Sequence, residues 1–345
     1  MGIALQTMTN ELTHVFLLSV GAFLLAMFLT PIYTFFAYRY RFWKRQRSES
    51  TDGKKLKVFA KFQAAKLRRN IPTMAGVIGV ISIFVVTIFF NLDRAQTWLP
   101  LAALVGGGIV GLIDDIINLR GLGGGAAGLR SPVKFALITL IGVVLGWFFF
   151  AKLGVASFHV PFVGEVNIGW LIVPLFAFAV VATGNAVNIS DGMDGLAGGL
   201  LGISFGAFGV IALLQQHVIL AGFCFTVVGV LLSYLWFNIY PARFFMGDVG
   251  SFAYGACLGV VAMLTDSLLL LPVIGLLFVI EAGSSLIQIL SKKLFKRKIF
   301  LSAPIHHHLE AIGWPETKVT MRFWVIGCVM AFIGVMLALA GGHIA

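Results

Sequence analysis

The residues of this chain that could do chemistry are few, and they sit in short polar stretches between long apolar ones. Asp114 and Asp115 are adjacent in GGGIVGLIDDIINLRG. Asn188, Asp191 and Asp194 recur at every third position of NAVNISDGMD, and Asn238 and Asp248 bracket NIYPARFFMGD. His306, His307 and His308 are consecutive in a loop ahead of the last apolar run. Carboxylate oxygens are hard donors of the kind Mg²⁺ takes, and Mg²⁺ usually binds through one or two carboxylates plus substrate phosphates. The natural ligand pair for such a set is therefore a divalent metal and a phosphate, and the matching chemistry is metal-assisted phosphoryl transfer.

Each motif also has a plainer reading. Neighbouring carboxylates on a helix point about 100° apart, so Asp114 and Asp115 need not face one ligand, and the pair could be a solvated helix end. A negative pair at a helix C-terminus opposes the macrodipole, which argues against a purely local role. Asn188, Asp191 and Asp194 would line one face if a helix ran through them, with Gly192 and Gly195 opening room for a ligand. Asp-Gly and Asn are also ordinary turn residues. Phe245 could stack on a planar base or sit in an interfacial aromatic belt. Three adjacent histidines cannot all bind one metal in regular structure, and a surface cluster is the alternative.

The elements that position these residues follow from composition. The chain has 345 residues, is 59% hydrophobic and only 11% charged, against about 25% charged in an ordinary soluble domain. That predicts an all-α polytopic membrane protein, a single integral domain over residues 1–345 with no sizeable soluble part. The 40 glycines suit close helix packing in lipid. Apolar runs long enough to span lie near 15–38, 73–91, 97–113, 132–151, 169–187, 196–214, 217–237, 250–265, 267–290 and 322–341, about ten helices. The first is not a secretory signal, because no Lys or Arg precedes it and a basic cluster follows. Of 25 Lys and Arg, all but Arg94 and Lys152 fall on one side of these spans, twelve of them in the loop from Arg39 to Asn70. The positive-inside rule then puts that side in the cytoplasm with every polar motif, and both termini outside. The net charge of +11 reads as topology and lipid-headgroup attraction. No nucleic-acid module is visible. Cys224, Cys257 and Cys328 lie in apolar spans without metal or disulfide spacing and read as small core residues. Glu281 falls near the middle of the ninth span, as a lone carboxyl that is protonated or bonded to a neighbouring helix.

The segments NAVNISDGMDGLAGG, FNIYPARFFMGDVGS and APIHHHLEAIGWPETKVTMRFW resemble signature segments of the phospho-N-acetylmuramoyl-pentapeptide-transferase family. That family is a branch of the polyprenyl-phosphate N-acetyl-hexosamine-1-phosphate transferase superfamily. The likeness runs from about residue 68 to 324, and the PIHHH segment separates this branch from relatives acting on UDP-GlcNAc. The resemblance implies a bacterial plasma-membrane enzyme working at the cytoplasmic face. Undecaprenyl phosphate would attack UDP-MurNAc-pentapeptide, giving lipid I and UMP, with Mg²⁺ as cofactor. It implies that Asp248 ligates Mg²⁺ and that Asp114 and Asp115 are a catalytic pair that deprotonates the lipid phosphate or helps hold the metal. His306 would be catalytic. Arg68, Thr73, Lys134, Asn188, Asp191, Asp194, Asn238, Phe245, Gln288, Ala303, His307 and His308 would line the substrate pocket, with Phe245 stacked on uracil.

The sequence departs from the family pattern at four places. Ile71 and Ala75 replace a Thr and a Gly in the family's TPTMGG, Arg68 stands where a Lys is usual, and Asn118 replaces a Lys. All lie near the phosphate or nucleotide side, leaving room for an altered donor or acceptor. A UDP-GlcNAc transferase of the same superfamily would keep the aspartates but lack PIHHH. An ion-coupled transporter would need charged residues at mid-depth, where only Glu281 falls, and a non-catalytic scaffold leaves the carboxylates unexplained. The peptide preference and the oligomeric state, a homodimer included, are not encoded legibly.

Overall fold

In lipid every backbone polar group needs an internal partner, so long apolar runs fold as helices. The computed structural model describes residues 2–43, 70–121 and 128–342. The helices are α1 (Gly2–Arg39), α2 (Gly76–Phe90), α3 (Trp98–Arg120), α4 (Ser131–Leu153), α5 (Ile172–Ser190), α6 (Leu196–Leu214), α7 (Val218–Asn238), α8 (Gly247–Leu264), α9 (Leu271–Ile274), α10 (Leu276–Phe295), α11 (Ile305–Ala311) and α12 (Glu316–Ala340). Among the described residues, eight helices are long and apolar enough to cross a membrane, or nine if α9 with its preceding 3₁₀ turn and α10 form one bent span. The 15-residue α2 is a shorter apolar helix. The chain is a multi-pass membrane protein, and it exposes many large apolar side chains, such as Phe89, Trp236 and Phe332.

Four expectations are corrected. The fold is not purely helical: β1 (Ser157–Val160) and β2 (Gly164–Asn167) form an antiparallel hairpin with His159 opposite Glu165. The ninth span is not straight, because α10 turns by 81° from the short helix before it, at Gly275. The third helix does not stop at the aspartates but runs on to Arg120. Cys328 is exposed, whereas Cys224 and Cys257 are buried as expected.

The axis of the fold is α8, whose residues from Gly247 to Met263 are all buried. One of its faces (Phe252, Ala256, Val260, Met263) packs with α3, α4 and α5, and the other joins a larger core built on α1, α6 and α7. Gly111 sets the approach of α3: a Cβ there would lie 2.1 Å from the carbonyl oxygen of Asp248. Backbone touches backbone at the level of Asp114, Asp115 and Asp248.

Candidate active site

The aspartates converge because the N-terminus of α8 enters the angle between Asp114 and Asp115. Asp115 Oδ2 accepts the Val249 backbone N–H at 3.1 Å, one of the donors a helix start leaves without an intrahelical partner. Asp115 thereby meets the positive end of a second helix. Asp114 faces the other way. Its Oδ1 accepts the Leu129 N–H at 2.6 Å and its Oδ2 accepts Lys134 Nζ at 2.9 Å. Lys134, in the first turns of α4, donates to Asp248 Oδ2 at 2.7 Å as well. The three carboxylates are 3%, 0% and 7% exposed, and their ligand atoms lie within 4.8 Å of one another.

One ammonium faces three buried carboxylates, so ionised side chains here leave an excess of negative charge that burial makes costly. Three hard carboxylate oxygens gathered around one point fit a divalent ion. At Gly247, φ is +72° and a Cβ would come within 2.5 Å of Asp115 Oδ2 and 2.8 Å of Thr73 Oγ1. Thr73 therefore belongs to the same pocket. Tyr33 on α1 donates its hydroxyl to the Thr73 carbonyl.

The 191–195 turn adjoins this cluster. Asn188 on α5 donates Nδ2 to Ser251 Oγ on α8 at 2.8 Å. The expected helical stripe of Asn188, Asp191 and Asp194 does not form, because α5 ends at Ser190 and Asp191 is its C-cap. Asp194 turns away to brace loops: Oδ2 accepts the Ala242 N–H at 3.0 Å, while its own N–H donates to Glu316 Oε1 at 2.7 Å. Asn238 does the same work, with Oδ1 accepting from Gly195 N and Nδ2 donating to the Phe244 carbonyl.

A polar stripe at helical spacing does exist, on α10: Glu281, Ser284, Gln288 and Ser291 are its buried polar residues. It fastens the 297–308 segment. Gln288 Oε1 accepts the N–H groups of Ile299 and Phe300 at 3.0 and 3.1 Å, and its Nε2 donates to the Phe300 carbonyl at 2.8 Å. Ser284 Oγ accepts from Ile305 N, and Ser291 Oγ donates to the Arg297 carbonyl. The histidines are thus held on a short helix, α11, not in a loop. His306 Nδ1 meets Glu281 Oε2 at 2.7 Å with both side chains fully buried. His306 Nε2 points at the 191–195 turn, where a Cβ on Gly192 would lie 2.5 Å away. His307 Nδ1 pairs with Glu310 Oε2 at 2.8 Å, and His308 Nδ1 accepts the Leu301 N–H at 3.3 Å.

The Glycosyl transferase family 4 profile matches residues 97–266, from the start of α3 through α8. Over the whole chain the likeness is closer. The phospho-N-acetylmuramoyl-pentapeptide-transferase of Chloroflexus aggregans is 38% identical over 99% of this chain and 94% of its own length. Those of Geobacillus thermodenitrificans and Oceanobacillus iheyensis are 36% and 35% identical, covering 91% and 94% of this chain and 94% and 98% of theirs. The chain belongs to the phospho-N-acetylmuramoyl-pentapeptide-transferase family.

Of the residues the family resemblance singles out, the structure gathers Asp114, Asp115, Asp248, Lys134 and Thr73 in one pocket, and reaches His306 through Asn188, Ser251 and Gly192. Phe245 is half-buried, its backbone paired with Pro72 and Ala75. Ala303 is half-buried just ahead of α11. Asp194, Asn238 and Gln288 hold loops around the site through the bonds described. Arg68 and most of the basic loop lie outside the described residues. Sequence reasoning left Glu281, Ser251 and Glu316 out of the site. Glu281 had a signal, a charge inside an apolar run; its partner could not be read because it lies 25 residues away.

Proposed function

We propose that this chain transfers phospho-MurNAc-pentapeptide from UDP-MurNAc-pentapeptide to undecaprenyl phosphate, releasing UMP and forming lipid I, at the cytoplasmic face of the bacterial plasma membrane. The observation that carries the reading is the buried Asp114–Asp115–Asp248 group with Lys134 bonded to two of its members. An oxygen of the lipid phosphate forms a bond to the β-phosphorus of the donor. The bond from that phosphorus to the bridging oxygen breaks, and its electron pair leaves with UMP. Such transfers need positioning and charge neutralisation more than covalent help.

Asp248, Asp114 and Asp115 are the residues that would hold Mg²⁺, which supplies neutralisation of the diphosphate and polarisation of the leaving oxygen when bound. Lys134 is placed to take a phosphate oxygen and to keep the carboxylates from repelling the donor. Glu281 holds His306 with Nε2 toward the Gly192 turn, on the side of Asn188 and Asp191. Phe245 offers a ring face for uracil. The bilayer presents the lipid phosphate at headgroup depth, and the basic residues on this side steer both anionic substrates. The whole chain acts as one domain with both termini on the opposite face.

The test is purified protein in detergent with undecaprenyl phosphate and Mg²⁺, offered UDP-MurNAc-pentapeptide and UDP-GlcNAc in parallel. UMP from the muramoyl donor alone, abolished by EDTA, is the expected result. UMP from UDP-GlcNAc would move the chain to the sister activity of the superfamily, and UMP from neither would refute transfer.

A further inference from the structure

At the far end of α8 from Asp248 lies a second group of metal-ligating side chains that the transfer reaction does not use. His159 on β1 and Glu165 on β2 are directly opposed in the hairpin, and Asp266 follows the C-terminus of α8. One ligand atom from each lies within 4.8 Å of the others. His159 Nε2 is 2.8 Å from the Gly341 carbonyl at the end of α12. A carbonyl only accepts, so Nε2 carries the proton. In the neutral ring Nδ1 then bears a lone pair, which is the tautomer of a metal-bound histidine with its outer hydrogen bond in place.

That Nδ1 faces Glu165 Oε1 at 3.3 Å. Two lone-pair atoms at this separation need a cation between them, either a proton on Nδ1 or a metal ion. The distance leaves room for the second. Charge-assisted N–H···O bonds run about 2.7–2.9 Å, and the other printed pairs of His or Lys with carboxylate in this protein fall at 2.7, 2.7, 2.8 and 2.9 Å. A separation of 3.3 Å is instead the edge of a tetrahedron whose centre lies about 2.0–2.1 Å from each ligand, the usual Zn–N and Zn–O length. The remaining contacts orient ligands. Ser157 Oγ donates to Glu165 Oε2 at 2.8 Å, and the His159 backbone N–H donates to Asp266 Oδ1 at 2.9 Å. Two carboxylates and an imidazole gathered this closely form a set whose negative charge a bound cation offsets.

We propose that His159 Nδ1, Glu165 and Asp266 form a binding site for a divalent transition metal, Zn²⁺ in preference to Mg²⁺, distinct from the aspartate pocket. One imidazole with two carboxylates favours a borderline metal over a hard one. The ion ties together the hairpin, the turn after α8 and, through the Nε2 bond to Gly341, the end of α12.

The test uses the full chain in detergent, stripped with a chelator and dialysed against limiting Zn²⁺ with Mg²⁺ in large excess to occupy the aspartate pocket. Zinc per chain is measured by elemental analysis, and Tm is recorded with and without Zn²⁺. The expected result is one zinc retained by the wild type and by Asp248→Asn, with at least about tenfold weaker retention in Glu165→Gln and Asp266→Asn. Zn²⁺ raises Tm only where it is retained. Glu165 is largely exposed on a hairpin strand, so Glu165→Gln folds even if Asp266→Asn does not, and its UMP release is unchanged. No zinc on the wild type, or equal zinc on wild type and Glu165→Gln, overturns the proposal and leaves an imidazolium–carboxylate clasp.

Discussion

Asp248 is shared between an ammonium and the other carboxylates, so its removal separates electrostatics from packing. Asp248→Asn keeps the shape and one acceptor for Lys134 while removing a charge from the group. Turnover falls by about 10²–10³-fold, the usual loss when one preorganised electrostatic group is deleted, and raising Mg²⁺ recovers part of it. A kcat near wild type at low Mg²⁺ would show that Asp248 does not hold the metal. Phe245 tests the nucleotide side. Base stacking on an aromatic ring is worth about 1–3 kcal/mol, so Phe245→Ala raises the donor KM roughly tenfold and leaves the lipid KM in place. Glu281→Gln is the positioning case. Replacing the carboxyl that holds His306 Nδ1 lowers kcat by about tenfold, 1.4 kcal/mol of barrier, with little change in either KM, whereas a merely structural role would move Tm and leave kcat.

The legible part of the site was the part with a desolvation cost. Asp114, Asp115 and Asp248 stood out because charge inside or beside lipid is costly, and they do converge. Asp194 and Asn238 stood out for the same polarity, but their side chains are occupied with Ala242, Gly195 and Phe244. Polarity alone does not separate a ligand-facing group from a loop brace, because both replace water with fixed partners.

At the scale of elements, apolar length predicted where helices are but not how they end. The run from Ser267 to Ile280 is apolar or small throughout, so nothing in its hydropathy announces a turn of 81° at Gly275. Yet that break lets α10 carry Glu281, Ser284, Gln288 and Ser291 to the histidine segment. The hairpin escaped because each strand has four residues, too short for alternation to declare itself. Contact between elements is where sequence is most silent, and Gly111 is the sharpest example. Gly111→Ala would press a methyl to 2.1 Å from the Asp248 carbonyl oxygen. The backbones of α3 and α8 must part, at a cost of about 1–3 kcal/mol for overpacking. Both Tm and kcat fall, and kcat falls further than in a distant variant of equal Tm, because the displacement opens the aspartate pocket itself. Equal kcat at matched Tm would mean that the pocket tolerates a looser α3–α8 contact.

For the whole molecule, the sidedness of the site rests on parity. Among the described residues eight helices are long and apolar enough to cross, and the bent pair Leu268–Ile274 with Leu276–Phe295 and the short α2 each add a crossing only if they traverse the bilayer. With both, the count is even and the two ends of the chain share a face; with one, they lie on opposite faces. Length alone does not decide the bent pair, because α10 leaves at 81° and carries Lys292 and Lys293 in its last turn. We propose, from the charges, that the bent pair and α2 both cross. Lys292, Lys293, Lys296 and Arg297 after α10 belong with Arg120, Arg130 and Arg243, all at the end of the bundle where the aspartates lie, and a basic cluster on the outer face would contradict the retention of positive charge inside. The expected outcome is therefore that epitope tags placed before α1 and after α12 are both digested by protease added outside intact cells, while a tag in the 296–300 loop is digested only after permeabilisation. A protected C-terminal tag with an accessible N-terminal one would mean that the bent pair or α2 re-enters without crossing, and it would require redrawing which basic loops face the cytoplasm.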